Sequence, residues 1–174
     1  GLLENDDKEN NCIIDPIDGT TNFLHGIPHF CISVAYRSNN IITSGVILDP
    51  IKNEIFYAEK NNGAYHNNQR LRVSKKTDLD ECLFGTNKDG ISKTILNCRV
   101  SGSAALDLAY VGAGKLDGYF QNNLNIWDIA SGKLIVEESG GIISPIDLSK
   151  INNIDIRASS TNINEKMLKN INKF

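Results

Sequence analysis

Several features that mark large classes of protein are scarce or missing in this chain of 174 residues. No apolar run comes near the roughly 18 residues that a membrane-spanning helix needs, and no charged-then-apolar leader opens the sequence. Basic residues are not in excess, because 18 Lys and Arg stand against 21 Asp and Glu, a net charge of −3. This balance gives no electrostatic footprint for nucleic acid or for an anionic membrane. We therefore expect a soluble protein with neither as its partner.

Cysteine and histidine are too few and too scattered to predict a disulfide framework or a zinc site. The four cysteines, none of them in a Cys-x-x-Cys pair, are Cys12, Cys31, Cys82 and Cys98. His25 and His29 are four residues apart, but Pro28 between them argues against a regular helix that presents both to one metal. We expect reduced core cysteines, as in a cytoplasmic protein.

Strand-like runs fill the first half of the chain, and helical patterns follow. The runs, rich in Ile, Val, Phe and Tyr, are Cys12–Ile14, Phe30–Tyr36, Ile41–Leu48, Glu54–Glu59, Cys82–Thr86 and Leu116–Phe120. Apolar residues at helical spacing predict helices over Ser103–Val111, Ile126–Glu138 and Asn162–Asn172. This order predicts an α/β fold with a largely antiparallel first sheet. The chain is expected to form one unit, with a first half over roughly residues 1–80 and a second over 81–174.

One stretch, Ile13–Phe23, carries the pattern of a metal site. Its sequence places two carboxylates, Asp15 and Asp18, three residues apart where an apolar strand enters a tight loop. Hard cations such as Mg²⁺ prefer carboxylate and carbonyl oxygens in a rigid loop, which Asp15, Asp18 and the Ile17 carbonyl can supply. The stretch therefore predicts a binding site for a divalent cation.

The same loop offers groups for an anion. The N–H groups of Gly19 and Thr20, at the start of a short helix, would form a phosphate cradle. A second Asp-Pro-Ile, at residues 49–51, is an internal control: it continues Lys-Asn-Glu, without a second Asp, a Gly or a Thr pair, and predicts only a hairpin turn. For the first copy taken alone, a purely structural Asx-type turn is the alternative.

Residues 15–23 resemble the signature of the inositol monophosphatase family of Mg²⁺-dependent phosphatases. Trp127–Gly132, with Gly140 and Gly141 beyond it, is similar to the second signature of that family. Arg99–Ala109 resembles the family's substrate-side segment. The Thr-Thr-Asn-Phe ending resembles the monophosphatase branch more than the 3′-phosphoadenosine phosphatase branch. The resemblance covers essentially the whole chain. It implies a layered α+β sandwich like that of fructose-1,6-bisphosphatase, here without its N-terminal segment.

The resemblance also implies a role for individual positions. Asp15, Asp18 and the Ile17 carbonyl would bind Mg²⁺, and Asp128 would complete a second metal position. Thr20 would hold the water that attacks phosphorus, which makes Asp15 and Thr20 the implied catalytic residues. The substrate would contact Ile17, Asp18, Gly19, Thr20, Arg99, Gly102, Ser103, Ala104, Gln121 and Asp128. Within that set, Arg99, Gly102, Ser103 and Ala104 would line the pocket for the alcohol part.

Two departures from the family pattern bear on function. The family carries a metal-binding Glu, in a Glu-Glu-Ser/Thr run, upstream of the Asp-Pro loop. Here Glu4 and Glu9 are the upstream glutamates, and we expect both to be solvated loop charges, so that this ligand and the helices that support it are absent. Gln121 stands where the family has an acidic residue that accepts hydrogen bonds from substrate hydroxyls. Gln keeps an acceptor oxygen but loses the charge.

Two functional hypotheses follow from the resemblance. The first is a Mg²⁺-dependent hydrolase of an inositol-1-phosphate-like sugar or polyol phosphate monoester, a cytoplasmic homodimer in which activated water attacks phosphorus in line. The alternative is a truncated, catalytically inactive family member, either a gene remnant or a binding subunit. A dinucleotide-binding module is disfavoured, because the glycines of Gly112–Gly114 follow a helix and not a strand.

Overall fold

Two β-sheets with a pair of helices between them make up the computed structural model, which describes residues 2–3, 10–87 and 97–171. The first sheet has seven strands in chain order: β1 (Leu2–Leu3), β2 (Asn10–Asp18), β3 (Cys31–Ser38), β4 (Ile41–Asp49), β5 (Glu54–Glu59), β6 (Gly63–His66) and β7 (Gln69–Arg70). The second has five: β8 (Leu83–Thr86), β9 (Asn97–Arg99), β10 (Gly118–Leu124), β11 (Ile142–Ile143) and β12 (Ile154–Ser159). The helices are α1 (Thr20–Leu24), α2 (Ala104–Gly112), α3 (Ile126–Glu138) and α4 (Asn164–Ile171).

The first sheet is antiparallel throughout and turns at asparagines. Asn39 and Asn40 between β3 and β4, and Asn67 and Asn68 between β6 and β7, all have positive φ, from 44° to 69°. Two consecutive residues of positive φ are what a two-residue hairpin turn needs, and asparagine tolerates that conformation better than most residues. The many asparagines of this sequence are therefore compatible with tight hairpins.

Helices α2 and α3 lie between the two sheets, so that protein encloses them on nearly all sides. Their surfaces are therefore apolar on nearly all sides as well. They approach closely at Gly132, where a Cβ atom would stand 2.5 Å from the Cβ of Leu108. Helix α4 covers the far side of the second sheet, where Phe84 and Phe120 pack with Met167 in a separate apolar cluster. The order of layers is thus sheet, helix pair, sheet and single helix.

The outer face of the first sheet carries apolar side chains that are open to solvent in the described chain. Ile32, Tyr36, Val46 and Ile55 are between 37% and 41% exposed. Their strand neighbours on the opposite face, such as Ile47, are buried. This alternation has the period of two that strand geometry imposes.

The predicted α/β class and layered architecture are confirmed. The predicted helix over Ile126–Glu138 coincides with α3, and those over Ser103–Val111 and Asn162–Asn172 correspond to α2 and α4 with slightly different ends. All four cysteines are free, and two of them, Cys31 and Cys82, are buried. None of the helices in the described part of the chain has the length and apolar character that crossing a bilayer requires. Glu4, Glu9 and Asn172 lie outside the described residues.

The sequence interpretation was wrong about the end of β2. A tight loop was predicted directly after Ile14, but the strand continues through Pro16 to Asp18. Its pairing with β3 shifts register between Asp15 and Asp18, which is a bulge. A bulge accommodates proline, because the ladder hydrogen bond that proline cannot donate is interrupted there. Five further strands were not predicted: β6, β7, β9, β11 and β12.

Substituting Gly132→Ala should destabilise the fold, because the added methyl group would meet the Cβ of Leu108 and push α2 and α3 apart. Overpacking of this kind costs about 1–3 kcal/mol. Urea denaturation followed by circular dichroism measures the loss. Glu137→Ala, on the exposed side of the same helix, is the control and should shift stability by no more than about 0.5 kcal/mol. Equal denaturation midpoints for the two variants would contradict the close helix packing.

Candidate metal centre

Three aspartates from distant parts of the chain meet at one point. Asp15 and Asp18 come from the bulged end of β2, and Asp128 comes from the first turn of α3. One carboxylate oxygen from each lies within 4.8 Å of the others. The carboxyl groups of Asp15 and Asp128 are within hydrogen-bonding reach of each other. Carboxylates at this separation repel strongly unless a proton or a cation lies between them.

Asp18 is held by the N-terminus of α2. Its Oδ2 accepts hydrogen bonds from the Ser103 hydroxyl at 2.5 Å and from the Ala105 N–H at 2.8 Å. The side chain is buried, and burial raises its pKa to about 6. The two hydrogen bonds oppose that rise, and the neighbouring carboxylates Asp128 and Asp15 add to it. Without a cation, the Asp18 carboxylate therefore takes up a proton as the pH falls through about 6.

Asp128 is held by the start of its own helix. Its Oδ2 accepts from the backbone N–H of Asn125 at 2.8 Å and from the Asn125 side chain at 3.1 Å, which forms a capping box. Burial raises the pKa of Asp128, the Asn125 N–H opposes this, and the charge of Asp15 adds to the rise. The oxygen bonded to Asn125 fixes the orientation of the carboxylate in the cavity.

The two copies of Asp-Pro-Ile make the same local turn in different surroundings. The Ile17 N–H donates to Asp15 Oδ1 at 3.1 Å, and the Ile51 N–H donates to Asp49 Oδ1 at 3.0 Å. Asp49 is paired with the Lys52 ammonium at 2.5 Å, and the hydrogen bonds to Lys52 and its charge outweigh burial to lower the pKa of Asp49. Asp15 faces two further carboxylates. The structural turn and the metal site are thus not exclusive alternatives.

Gly19 ends the bulge and begins α1. Its φ of 89° is in the left-handed region, and a Cβ there would lie 3.0 Å from the His29 carbonyl oxygen, so glycine is required. The next residue, Thr20, donates its hydroxyl hydrogen to the Ile17 carbonyl at 2.9 Å. A carbonyl oxygen has two lone pairs, so this bond leaves one for a cation. The predicted short helix after Gly19 is confirmed.

Asn22 joins residues 15–20, which we call the metal loop, to the segment before α2. The sequence interpretation missed this role. Its side-chain amide donates to the His29 carbonyl at 2.8 Å and to the Ser101 carbonyl at 2.9 Å. Gly102, with φ of 88°, passes so close that a Cβ would lie 2.8 Å from that amide nitrogen. No sequence signal pointed to this link, because the two segments are 79 residues apart.

A cavity of about 420 Å³ opens over the three aspartates. Its lining is Asp15, Ile17, Asp18, Gly19, Thr20, Thr21, Thr86, Asn87, Gly102, Ser103, Ala104, Asp107, Gln121, Leu124, Asn125, Trp127 and Asp128. Of the predicted site residues, Arg99 alone does not line it; its guanidinium donates to the Cys98 carbonyl at 3.0 Å on an exposed strand. Among the described lining residues there are four aspartates and no Lys, Arg or His, so the cavity is strongly negative.

Asp107 is the fourth of these aspartates and was not predicted. It is 4% exposed, accepts a hydrogen bond from the Ser101 hydroxyl at 2.8 Å, and has its pKa raised to about 7 by burial. A signal was present in the sequence, since Asp107 is the one carboxylate in the otherwise apolar run of α2.

The chain matches the inositol monophosphatase family over residues 3–173. The chain belongs to that family. A relative from Caulobacter vibrioides named inositol-1-monophosphatase is 38% identical over 98% of this chain and 75% of its own length. A Thermotoga maritima relative, named fructose-1,6-bisphosphatase/inositol-1-monophosphatase, is 43% identical over 83% of this chain and 59% of its own length. The solved structure of a Thermotoga maritima inositol monophosphatase superposes with a TM-score of 0.89 at 37% identity, covering 99% of this chain and 72% of that one.

Replacing Asp18 by Asn should stabilise the protein when no metal is bound. Because the pKa of Asp18 is about 6 in the fold and near 3.8 when unfolded, its ionisation destabilises the folded state above pH 6. The expected gain at pH 7.5 is on the order of 2–3 kcal/mol, and it should fall to about 0.5 kcal/mol at pH 4, where the folded carboxyl is protonated and the unfolded one is only about half ionised. Urea denaturation in EDTA at the two pH values measures it.

The matched control is Asp80→Asn, at an exposed carboxylate away from the cavity, which should change stability little at either pH. A loss of stability in Asp18→Asn at both pH values would show that the Asp18 carboxylate is not under electrostatic strain.

Proposed function

We propose that this chain is a Mg²⁺-dependent hydrolase. Its substrates would be sugar or polyol phosphate monoesters that resemble inositol 1-phosphate in size and polarity. The observation that carries the proposal is the meeting of Asp15, Asp18 and Asp128 in an open cavity that a helix start also lines. A site with this excess of acidic side chains favours the binding of cations, and phosphate esters bind most readily where cations are already bound. The name of the Caulobacter relative supports the same chemistry.

Asp15, Asp18, Asp128 and the Ile17 carbonyl are the proposed ligands. All four donors are oxygen atoms, the set that Mg²⁺ prefers. When bound, divalent ions lower the pKa of an attacking water, neutralise phosphoryl oxygens and stabilise the leaving alkoxide. Each aspartate already has one oxygen fixed by a donor of the protein, from Ile17, Ser103 or Asn125. The carboxylates are therefore oriented before a ligand arrives.

Thr20 is proposed to orient the attacking water. Its hydroxyl hydrogen is donated to the Ile17 carbonyl, so its oxygen is left as a hydrogen-bond acceptor facing the cavity. An acceptor there can take a hydrogen bond from water and so direct a lone pair of that water toward phosphorus. This arrangement needs no nucleophilic side chain.

The start of α1 is proposed to hold the phosphate. Gly19 and Thr20 are the N-cap and first residue of the helix, and both line the cavity. The first N–H groups of a helix have no acceptor within it and favour anions. The left-handed Gly19 brings these groups to the edge of the carboxylate cluster, so phosphate and cations would share one loop.

The alcohol part of the substrate is proposed to lie against Gly102, Ser103, Ala104 and Gln121, which also line the cavity. The Ser103 hydroxyl is bonded to Asp18, so Ser103 lies beside the proposed metal ligands and its proposed contribution is through that carboxylate. Contact of Arg99 with substrate and assembly into a homodimer stay predictions.

The function is tested by phosphate release from inositol 1-phosphate and glycerol 2-phosphate, with Mg²⁺ and with EDTA. Release should require Mg²⁺, and Asp15→Asn and Asp128→Asn should each lower kcat by about 100-fold or more, because each removes a charged ligand. Asp80→Asn is the control and should retain full activity. Release in EDTA, or activity that survives Asp15→Asn, would contradict the proposal. An inactive native chain would favour the alternative of a non-catalytic family member.

Mg²⁺ affinity should fall as the pH is lowered. Protons compete with the cation for carboxylates whose pKa is raised, and that of Asp18 is about 6. The dissociation constant should therefore rise up to about tenfold for each pH unit below 6 and be nearly constant above 7. Calorimetric titration with Mg²⁺ between pH 5 and 8 measures this directly, and a dissociation constant that does not change over that range would be inconsistent with these ligands.

A further inference from the structure

Strand β10 places Tyr119 and Gln121 on the same face of the second sheet, because alternate residues of a strand point the same way. Tyr119 is fully buried, and Gln121 is half-buried and lines the cavity. The Tyr119 hydroxyl donates a hydrogen bond to Oε1 of Gln121. The residue that faces the alcohol part of the substrate is thus tied to the core by its acceptor oxygen.

Tyr119 remains a donor under all ordinary conditions. Burial raises its pKa well above the usual value, and the charges of Asp107, Asp18 and Asp128 raise it further. A buried O–H without an acceptor costs about 1–3 kcal/mol, so this hydroxyl must donate, and Gln121 supplies the acceptor.

The main chain of Gln121 is also held, since the Arg157 guanidinium donates to its carbonyl at 3.3 Å. Because Tyr119 holds Oε1 and so orients the amide, the amide nitrogen, which has no hydrogen-bond partner among the described residues, is the group that Gln121 can donate to the cavity. The expectation that Gln121 keeps an acceptor oxygen for substrate stays a prediction, and one of the two lone pairs of that oxygen is already taken by Tyr119.

We propose that Gln121 presents its amide N–H groups to the substrate, and that the site therefore accepts phosphate monoesters whose alcohol part carries a carboxylate. The inference rests on the proposed function of the same cavity. An acidic residue at this position would accept hydrogen bonds from hydroxyls and repel an anion. The amide donates and carries no charge, so the preference is reversed.

The surroundings make this difference large. The described lining already holds four aspartates, and a glutamate at 121 would add a fifth carboxyl group. With Gln121, the cations proposed at the aspartates offset their charge, and the amide adds a donor for the distal anion. Rejection by juxtaposed like charges is a common way to separate anionic from neutral ligands.

The test compares matched substrates in the native chain and in Gln121→Glu at saturating Mg²⁺. One pair is glycerol 2-phosphate and 2-phosphoglycerate, and a longer pair is glucitol 6-phosphate and 6-phosphogluconate. In each pair the second compound has a carboxylate where the first has a CH₂OH group. Gln121→Glu should lower the ratio of kcat/KM for acid over polyol by about tenfold or more in at least one pair, mainly through KM.

Asn122→Asp is the charge-matched control. Asn122 follows Gln121 on β10, is not among the lining residues, and its side chain accepts a hydrogen bond from Arg157 at 2.8 Å. It adds the same charge beside the site without facing substrate, so its ratio should stay at the native value. In Tyr119→Phe the amide is free to rotate, and its ratio should fall between those of the native chain and Gln121→Glu.

The outcomes separate the two proposals. Equal ratios in the native chain and Gln121→Glu, with polyol hydrolysis intact, would overturn the inference and leave the proposed function standing. An absence of Mg²⁺-dependent release from all four compounds would overturn the proposed function. In that case the inference is tested by calorimetric binding of the same compounds. It is supported if the acids bind the native chain and their affinity falls about tenfold in Gln121→Glu. It is overturned if the acids do not bind the native chain.

Discussion

Mutual repulsion among three carboxylates, held within 4.8 Å of one another, is the constraint around which this structure is organised. The fold opposes that repulsion with donors and dipoles. Helices α2 and α3 both begin at the cavity, so their positive ends face the aspartates. Ser103 and Ala105 at one helix start, and Asn125 at the other, donate to individual carboxylate oxygens. Burial and, to a smaller extent, the neighbouring carboxylates raise the pKa values of Asp18 and Asp128 in spite of these donors. The proposed cation would offset the repulsion that remains.

The packing of the two central helices serves the same purpose. Gly132 allows α2 and α3 to approach closely, which brings their first turns to one place beside the end of β2. The bulge in β2 then turns Asp15 and Asp18 toward those helix starts. Asn22 ties the metal loop to the segment that precedes α2. The geometry of the site therefore depends on packing at a distance from it as well as on its own side chains.

The sequence predicted what is encoded locally. Helix α3 has the predicted ends because apolar spacing and Gly140–Gly141 mark it, and the pair Asp15 and Asp18 was evident from a single stretch. What could not be predicted depends on contacts between distant segments. The bond from Ser103 to Asp18 spans 85 residues, and without the resemblance Asp128 would pass for an ordinary acidic residue in a first helical turn. Strand β12 was missed although Ile154, Ile156 and Ala158 alternate with Asp155 and Arg157, which is the period of two that a half-buried strand shows.

The two copies of Asp-Pro-Ile show why local pattern alone does not define a site. Both form the same hydrogen bond from the Ile N–H to the Asp side chain, but Asp49 meets Lys52, whereas Asp15 meets two more carboxylates. Gln121 makes the same point, since Tyr119 determines which end of its amide is available. Diffraction from crystals soaked in Mn²⁺, recorded at the manganese absorption edge, tests the central claim most directly. The account predicts an anomalous peak within coordination distance of Asp15, Asp18 and Asp128. Saturating Mn²⁺ with no peak between these carboxylates would contradict it.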